Sequence, residues 1–142
     1  MSRVSIFLLI FGVILHVAVA ETLRRTVDDN RDGDPDQWYI MEQGVLLEYQ
    51  ADRNFDGLVD YKAEFLDSDR LLYEEFDFNY DGDMDDFYYF EEGILSRQEI
   101  DTNFDRQIDL WIYLHRGMYV RRIERDIDFD GKVDIVIDYD KK

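Results

Sequence analysis

Asp52-Arg-Asn-Phe-Asp-Gly-Leu-Val-Asp60 decides the architecture, because the chain carries five versions of its pattern. It is preceded by Asp28-Asp-Asn-Arg-Asp-Gly-Asp-Pro-Asp36 and returns as Asp77-Phe-Asn-Tyr-Asp-Gly-Asp-Met-Asp85. A fourth copy, Asp101-Thr-Asn-Phe-Asp-Arg-Gln-Ile-Asp109, has Arg106 in place of the glycine, and the last is Asp126-Ile-Asp-Phe-Asp-Gly-Lys-Val-Asp134. The copies start 24, 25, 24 and 25 residues apart. Self-similarity at a fixed period is the mark of a repeat architecture in which one small unit is stacked on its neighbours.

Each interval between loops holds two short apolar runs split by a turn. Trp38 to Met41 and Val45 to Tyr49 flank Glu42-Gln43-Gly44. Phe87 to Phe90 and Ile94-Leu95 flank Glu91-Glu92-Gly93, and Leu110 to Leu114 and Met118 to Val120 flank His115-Arg116-Gly117. Short runs rich in aromatic and β-branched residues, bounded by glycine and charge, read as strands. The glycine supplies the positive φ of a tight hairpin. The second interval turns on Asp67-Ser68-Asp69, residue types that favour turns for their own side-chain bonds.

Alternation along a strand assigns the faces. Tyr39/Met41, Ala63/Phe65, Tyr88/Phe90, Ile112/Leu114 and Ile137/Tyr139 share one face, which is expected to be buried. The other face carries Trp38/Ile40, Lys62/Glu64, Phe87/Tyr89, Trp111/Tyr113 and Val136/Asp138 and is mixed. Leu23 to Val27 matches the second strand of a unit, so the array opens with half a unit and closes on the strand after the fifth loop. The expected fold is all-β: an antiparallel meander of about ten short strands from five repeats of 24–25 residues. The Asp-rich loops lie along one edge and the glycine turns along the other. A curled sheet is the preferred closure, with a barrel, a sandwich and a long single layer as the alternatives.

The loop pattern D-x-[ND]-x-D-G-x-x-D places oxygen ligands at alternate positions of a tight turn, the arrangement that hard Ca²⁺ selects. The candidate ligands are Asp28, Asn30, Asp32 and Asp36; Asp52, Asn54, Asp56 and Asp60; Asp77, Asn79, Asp81 and Asp85; Asp101, Asn103, Asp105 and Asp109; and Asp126, Asp128, Asp130 and Asp134. In the second loop the backbone carbonyl of Leu58 is a further candidate. The apolar eighth position (Val59, Met84, Ile108, Val133) should pin the loop to the sheet. The aromatic fourth position (Phe55, Tyr80, Phe104, Phe129) is expected to pack between neighbouring loops. Asp, Asn and Gly also make ordinary solvated turns, but five in register favour the metal. The fifth loop has four carboxylates. The fourth, with Arg106 bringing backbone strain and a positive charge, is expected to be the weakest or empty, its arginine paired with local acids.

This pattern resembles the first nine positions of the EF-hand calcium loop. The twelfth position, a bidentate Glu in that family, is Tyr39, Ala63, Tyr88, Ile112 or Ile137 here, and no helical pattern flanks any loop. The loops are more similar to the DxDxDGxxD loops of integrin-type β-propeller repeats and thrombospondin type 3 repeats, in which the ninth residue closes the site directly. That resemblance is confined to the loops and implies Ca²⁺ as the ligand. It implies neither fold nor adhesion.

The first twenty residues read as a secretory signal peptide: Ser2 and Arg3, an apolar run from Val4 to Leu15, and Ala18-Val19-Ala20 as the cleavage site. An uncleaved anchor is the alternative. Cleavage after Ala20 leaves a single β-repeat domain over 21–142 and takes away Arg3 but no acid. The charge then falls from −18, with 16 basic and 34 acidic residues, to −19, with 15 and 34. Five bound Ca²⁺ ions would bring that to −9. Such a charge repels nucleic acid and anionic membranes. Yet aromatic residues make up 15% of the chain, so the composition is not that of a disordered acidic tail.

Catalysis finds little raw material. Beyond residue 20 the chain has His115, Ser68 and Ser96 and no cysteine, so neither a nucleophile–His site nor a zinc site is expected. The expected function is therefore a secreted or periplasmic Ca²⁺-binding repeat protein, non-enzymatic, acting as a structural or adhesive element. The alternative is a Ca²⁺-scaffolded module that binds a protein or glycan through exposed aromatics such as Trp38, Phe87, Trp111 and Tyr113. A passive calcium store is the third option.

Overall fold

A computed structural model describes residues 22–141; the expected signal segment and its cleavage site lie outside the described residues. The described chain forms ten strands: β1 (Thr22–Val27), β2 (Gln37–Glu42), β3 (Val45–Ala51), β4 (Tyr61–Asp67), β5 (Arg70–Phe76), β6 (Asp86–Glu91), β7 (Ile94–Ile100), β8 (Leu110–His115), β9 (Tyr119–Arg125) and β10 (Ile135–Asp138). They make one antiparallel sheet in the order of the chain, curled but not closed. The Asp-rich loops occupy one end of the strands and the short turns the other, as the meander requires.

The turns follow their residues. Gln43-Gly44 and Glu92-Gly93 both take positive φ at both positions (50° and 85°, 53° and 78°), the two-residue hairpin whose twist matches that of the strands. Ser68-Asp69 has no positive φ, and Arg70 instead pairs with Asp67 across the turn at 2.5 Å. The β8–β9 connection is one residue longer, with Met118 N–H donating to the His115 carbonyl at 3.2 Å.

Every turn-linked pair carries a bulge that simple alternation does not foresee. Ile40 faces Glu48 and Met41 faces Leu46, so Leu47 is left over; Leu72, Ser96 and Arg121 are the equivalent extra residues in the next three hairpins. A bulge raises the local right-handed twist. Four at the same level, repeated at the period of the chain, curl a sheet that would otherwise lie flatter. They also switch face: Leu46, Leu71, Leu95 and Val120 come to lie opposite Met41, Phe65, Phe90 and Leu114, on the same side of the sheet.

The expected apolar face exists, but it is a single layer's face, not an enclosed core. Of its members only Ala63 is fully buried; Tyr39, Met41, Phe65, Tyr88, Phe90, Ile112 and Leu114 are half-buried, and Ile137 and Tyr139 are exposed. With no second layer above it among the described residues, the face protects itself sideways. Tyr39, Tyr49, Tyr61, Phe76 and Tyr88 form a continuous ladder of rings across β2 to β6, with centroids 4.9, 5.8, 4.7 and 5.5 Å apart. Tilted and edge-on contacts of this kind contribute about 0.5–1.5 kcal/mol each beyond their burial. The opposite face is stitched by charge: Lys62 to Glu64 at 2.7 Å, Arg97 to Glu99 at 3.3 Å, and Arg97 over the Tyr89 ring at 4.0 Å.

Candidate metal centres

Among the described residues, the largest fully buried side chains are aspartates. Apart from Ala51 and Ala63, the buried residues are Asp36, Asp52, Asp60, Asp77, Asp85, Asp101, Asp109 and Asp126, which are first or last residues of the loops, together with Asp86. Burying a carboxylate is costly unless its oxygens are hydrogen-bonded or bound to a cation, and the loops fold so as to supply the bonds.

One scheme serves all five. The first Asp accepts at Oδ1 from the N–H of the fourth residue and at Oδ2 from that of the sixth: 2.6 and 2.8 Å for Phe55 and Gly57 onto Asp52. The same pair of bonds recurs on Asp28, Asp77, Asp101 and Asp126. The last Asp accepts at Oδ2 from the N–H of the second residue, and outside the fourth loop from that of the third as well: Arg53 at 2.5 Å and Asn54 at 3.1 Å onto Asp60. The ninth N–H closes each loop onto the residue before it, as Asp60 does on Ala51 at 2.9 Å. Asn54 accepts from Asp56 N–H at 2.9 Å and donates its amide to Asp56 Oδ2 at 2.9 Å, an arrangement repeated at Asn30, Asn79 and Asn103.

Drawing the amides inward forces positive φ at the fourth and sixth positions. Gly57, Gly82 and Gly131 take this freely, with φ of 91°, 91° and 84°. The fourth residues do not: Arg31, Phe55, Tyr80, Phe104 and Phe129 lie at φ 60–65°. Bulky residues rarely adopt this region, and such strain clusters at functional sites. The expected packing of these aromatics between loops is not what the structure has. Phe55, Tyr80, Phe104 and Phe129 are each about half exposed, and none of the ring pairs in the described residues joins two of them. A left-handed backbone at the loop's tip turns the side chain outward. Of the eighth positions, Val59, Met84 and Ile108 are half-buried, while Val133 at the array's end is exposed.

Two groups of carboxylates converge. Asp52, Asp56 and Asp60 bring one oxygen each to within 4.8 Å of one another, as do Asp126, Asp128 and Asp130. Asp134 stands outside the second group, and the carboxylates of loops one, three and four do not form such a triad among the described residues. Within the second loop, Asp60 is 0% exposed and its Oδ1 has no hydrogen-bond partner. Burial raises the Asp60 carboxyl above its ordinary value; the amides of Arg53 and Asn54 oppose this, and the charges of Asp52 and Asp56 add to the rise. An all-oxygen donor set with one buried, uncommitted carboxylate oxygen fits a hard divalent cation.

The fourth loop differs in two ways. Arg106 adopts φ 73° and reaches across to Asp83 of the third loop at 2.7 Å. Thr102 Oγ1 donates to Asp109 Oδ1 at 2.7 Å, so the oxygen equivalent to the uncommitted one of Asp60 already has a partner. The arginine was readable from the sequence. The threonine was not singled out, though its signal is a hydroxyl at a second position that holds Asp29, Arg53, Phe78 or Ile127 elsewhere. Asp86 was also missed. It lies on a strand, accepts from Gln98 at 2.8 Å and Tyr88 at 2.9 Å, and burial pushes its carboxyl up.

No protein-family model matches the chain, and no curated protein matches it. Among solved structures, it resembles part of the complex of accessory secretory proteins 1, 2 and 3 of Streptococcus pneumoniae, with 14% identity, 75% of this chain and 19% of that chain covered, and a TM-score of 0.48. A likeness at that level carries no argument about function. Among the described residues no helix is long and apolar enough to cross a membrane.

Proposed function

We propose that this is a secreted or periplasmic Ca²⁺-binding repeat protein, non-enzymatic, whose single-layer sheet is stiffened by ions held in its Asp-rich loops. The observation that carries the reading is Asp60 Oδ1, a fully buried carboxylate oxygen without a partner beside Asp52 and Asp56. A buried charge left in that state destabilises the fold, and a cation is the partner the surrounding oxygens are suited to. A sheet with so little buried apolar surface, in a chain of formal charge −18, gains twice from bound Ca²⁺. The ions satisfy the carboxylates and lower the self-repulsion. The many-oxygen donor set favours Ca²⁺ over Mg²⁺, which holds its water and demands near-octahedral geometry.

The role suggested is structural or adhesive. The continuous ring ladder on one face and the half-buried state of Trp38, Phe87, Trp111 and Tyr113 favour a scaffold over a patch presented by those four residues. A second reading, a Ca²⁺-shaped module for a protein or glycan, has one observation in its favour: the exposed row Phe55, Tyr80, Phe104 and Phe129 at successive loop tips. The test is thermal unfolding followed by circular dichroism in EDTA and across a Ca²⁺ titration, with Mg²⁺ as control. A β spectrum that strengthens and melts later with Ca²⁺ supports the proposal, and a fold equally stable in EDTA refutes it.

A further inference from the structure

The sheet is open, and its two ends are complementary halves of one unit. β1 runs into a loop, as β3, β5, β7 and β9 do; β10 leaves a loop, as β2, β4, β6 and β8 do. Inside the array, a strand that leaves a loop always pairs across a turn with one that enters the next, in the register Gln37↔Ala51, Trp38↔Gln50, Tyr39↔Tyr49 and Ile40↔Glu48. Among the described residues nothing pairs with the outer edge of β1 or of β10. Those two edges are the turn-side partners of each other's class.

The backbone at the loop end repeats the same statement. The N–H of each loop's first Asp donates to the carbonyl of the previous loop's last Asp: Asp52 to Asp36 at 2.8 Å, Asp77 to Asp60 at 2.9 Å, Asp101 to Asp85 at 2.8 Å and Asp126 to Asp109 at 2.9 Å. The donor left without this bond is Asp28 N–H and the acceptor left is the Asp134 carbonyl. Asp28 and Asp134 are also the two first-or-last loop residues that are exposed where the other eight are buried.

Charge agrees with the register. Laying β1 of a second copy on β10 as β3 lies on β2 sets Val27 on Ile135, Thr26 on Val136, Arg25 on Ile137 and Arg24 on Asp138. Ile135, Val136 and Ile137 are exposed on β10, an edge with apolar side chains of the kind that templates strand addition. Asp138 is at present within 3.5 Å of the exposed Lys141, a contact readily exchanged for Arg24.

We propose that the chain associates with itself head to tail, the outer edge of β10 in one copy taking up β1 of the next and continuing the ten-stranded sheet. The contact is heterologous, so it propagates from copy to copy, into an open array or, where the curl of the sheet closes on itself, a ring. It does not require the loops to hold an ion; cations in the first and fifth loops would lessen the repulsion where those loops meet.

The test is sedimentation velocity on residues 21–142, which contain every described strand and loop, over a range of concentrations in EDTA and in Ca²⁺. Mass that grows with concentration is expected in Ca²⁺. Arg24→Asp and Asp138→Arg, each checked for an unchanged β spectrum, should weaken association about tenfold or more by setting like charges opposite each other. Mixing the two variants restores an opposite pair at every junction and should restore the arrays. A chain that stays monomeric at all concentrations in both buffers overturns the proposal, as does association that neither variant alters. Since each variant is read separately, loss of fold in one leaves the other decisive, and a chain that binds Ca²⁺ yet stays monomeric rejects this inference alone.

Discussion

Asp60→Asn separates an ion site from a solvated turn, because the two readings give opposite signs. The asparagine carbonyl still accepts from Arg53 and Asn54, the bonds that hold the second loop's entry at 2.5 and 3.1 Å. What changes is the buried, partnerless Oδ1 and the negative charge beside Asp52 and Asp56. Without metal, the variant loses some strength in two charge-assisted bonds, on the order of 1 kcal/mol, and is relieved of an unpaired buried charge of at least comparable cost. In EDTA it should therefore melt at or above the wild-type temperature. With Ca²⁺ the wild type gains RT ln(1 + [L]/Kd) at this loop. For a Kd of about 10⁻⁴–10⁻³ M and about 10 mM ion, that is roughly 1.4–2.7 kcal/mol. If neighbouring repeats melt together, the gain is about 5–10 °C in a domain of this size. The variant forgoes it, so the order of the two melting curves reverses between buffers. Calorimetric titration should also count one ion fewer. Equal Ca²⁺-dependent shifts and equal stoichiometry for both proteins would refute the argument that Asp60 closes a metal site.

The other consequences can be checked in the same assays. Thr102→Val frees Asp109 Oδ1 and Arg106→Gly removes a left-handed arginine that costs about 1–2 kcal/mol; together they should make the fourth loop bind Ca²⁺ measurably tighter in a titration, with Arg106→Gly also raising the melting point in EDTA. Asp86 has its carboxyl held above the ordinary 3.8 by burial, so the protonated form favours the fold. That stabilisation is present at and below the ordinary value and is lost as pH rises through the folded one. The metal-free protein should accordingly melt higher at mildly acidic than at neutral pH, with Asp60 and Asp85 acting in the same direction, and Asp86→Asn should shrink the difference. Tyr80→Asn replaces a half-exposed ring at φ 63° with a residue that tolerates that backbone. It should leave Ca²⁺ binding intact and raise stability by a few tenths of a kcal/mol in denaturant unfolding.

What the sequence reveals and what it hides divide along a physical line. Strands and loops are local, and local chemistry announces them. Short apolar runs such as Trp38 to Met41, glycine after Glu42-Gln43, and nine loop positions repeated five times lead directly to ten strands in chain order. The bulges at Leu47, Leu72, Ser96 and Arg121 are not announced, because no one residue type marks them; they arise from fitting two strands around a tight turn. Through them, Leu46, Leu71, Leu95 and Val120 reach the apolar face that strict alternation would have denied them. Burial was misjudged for a different reason. Hydropathy treats Asp as the residue least suited to an interior, and the expected core was therefore aromatic. In a single layer, however, the place best shielded from water is the row of loops stacked at one end of the strands, where each loop covers the next. There the residues that fill the space are Asp52, Asp60, Asp77 and Asp109, wrapped in backbone amides. The bond from Asp77 N–H to the Asp60 carbonyl ties one candidate site to its neighbour through a single peptide contact. An ion that stiffens one loop therefore fixes the acceptor on which the next loop's first ligand hangs, so adjacent loops should bind Ca²⁺ with positive coupling, strongest between the second and third, where Leu58 also lies against Gly82.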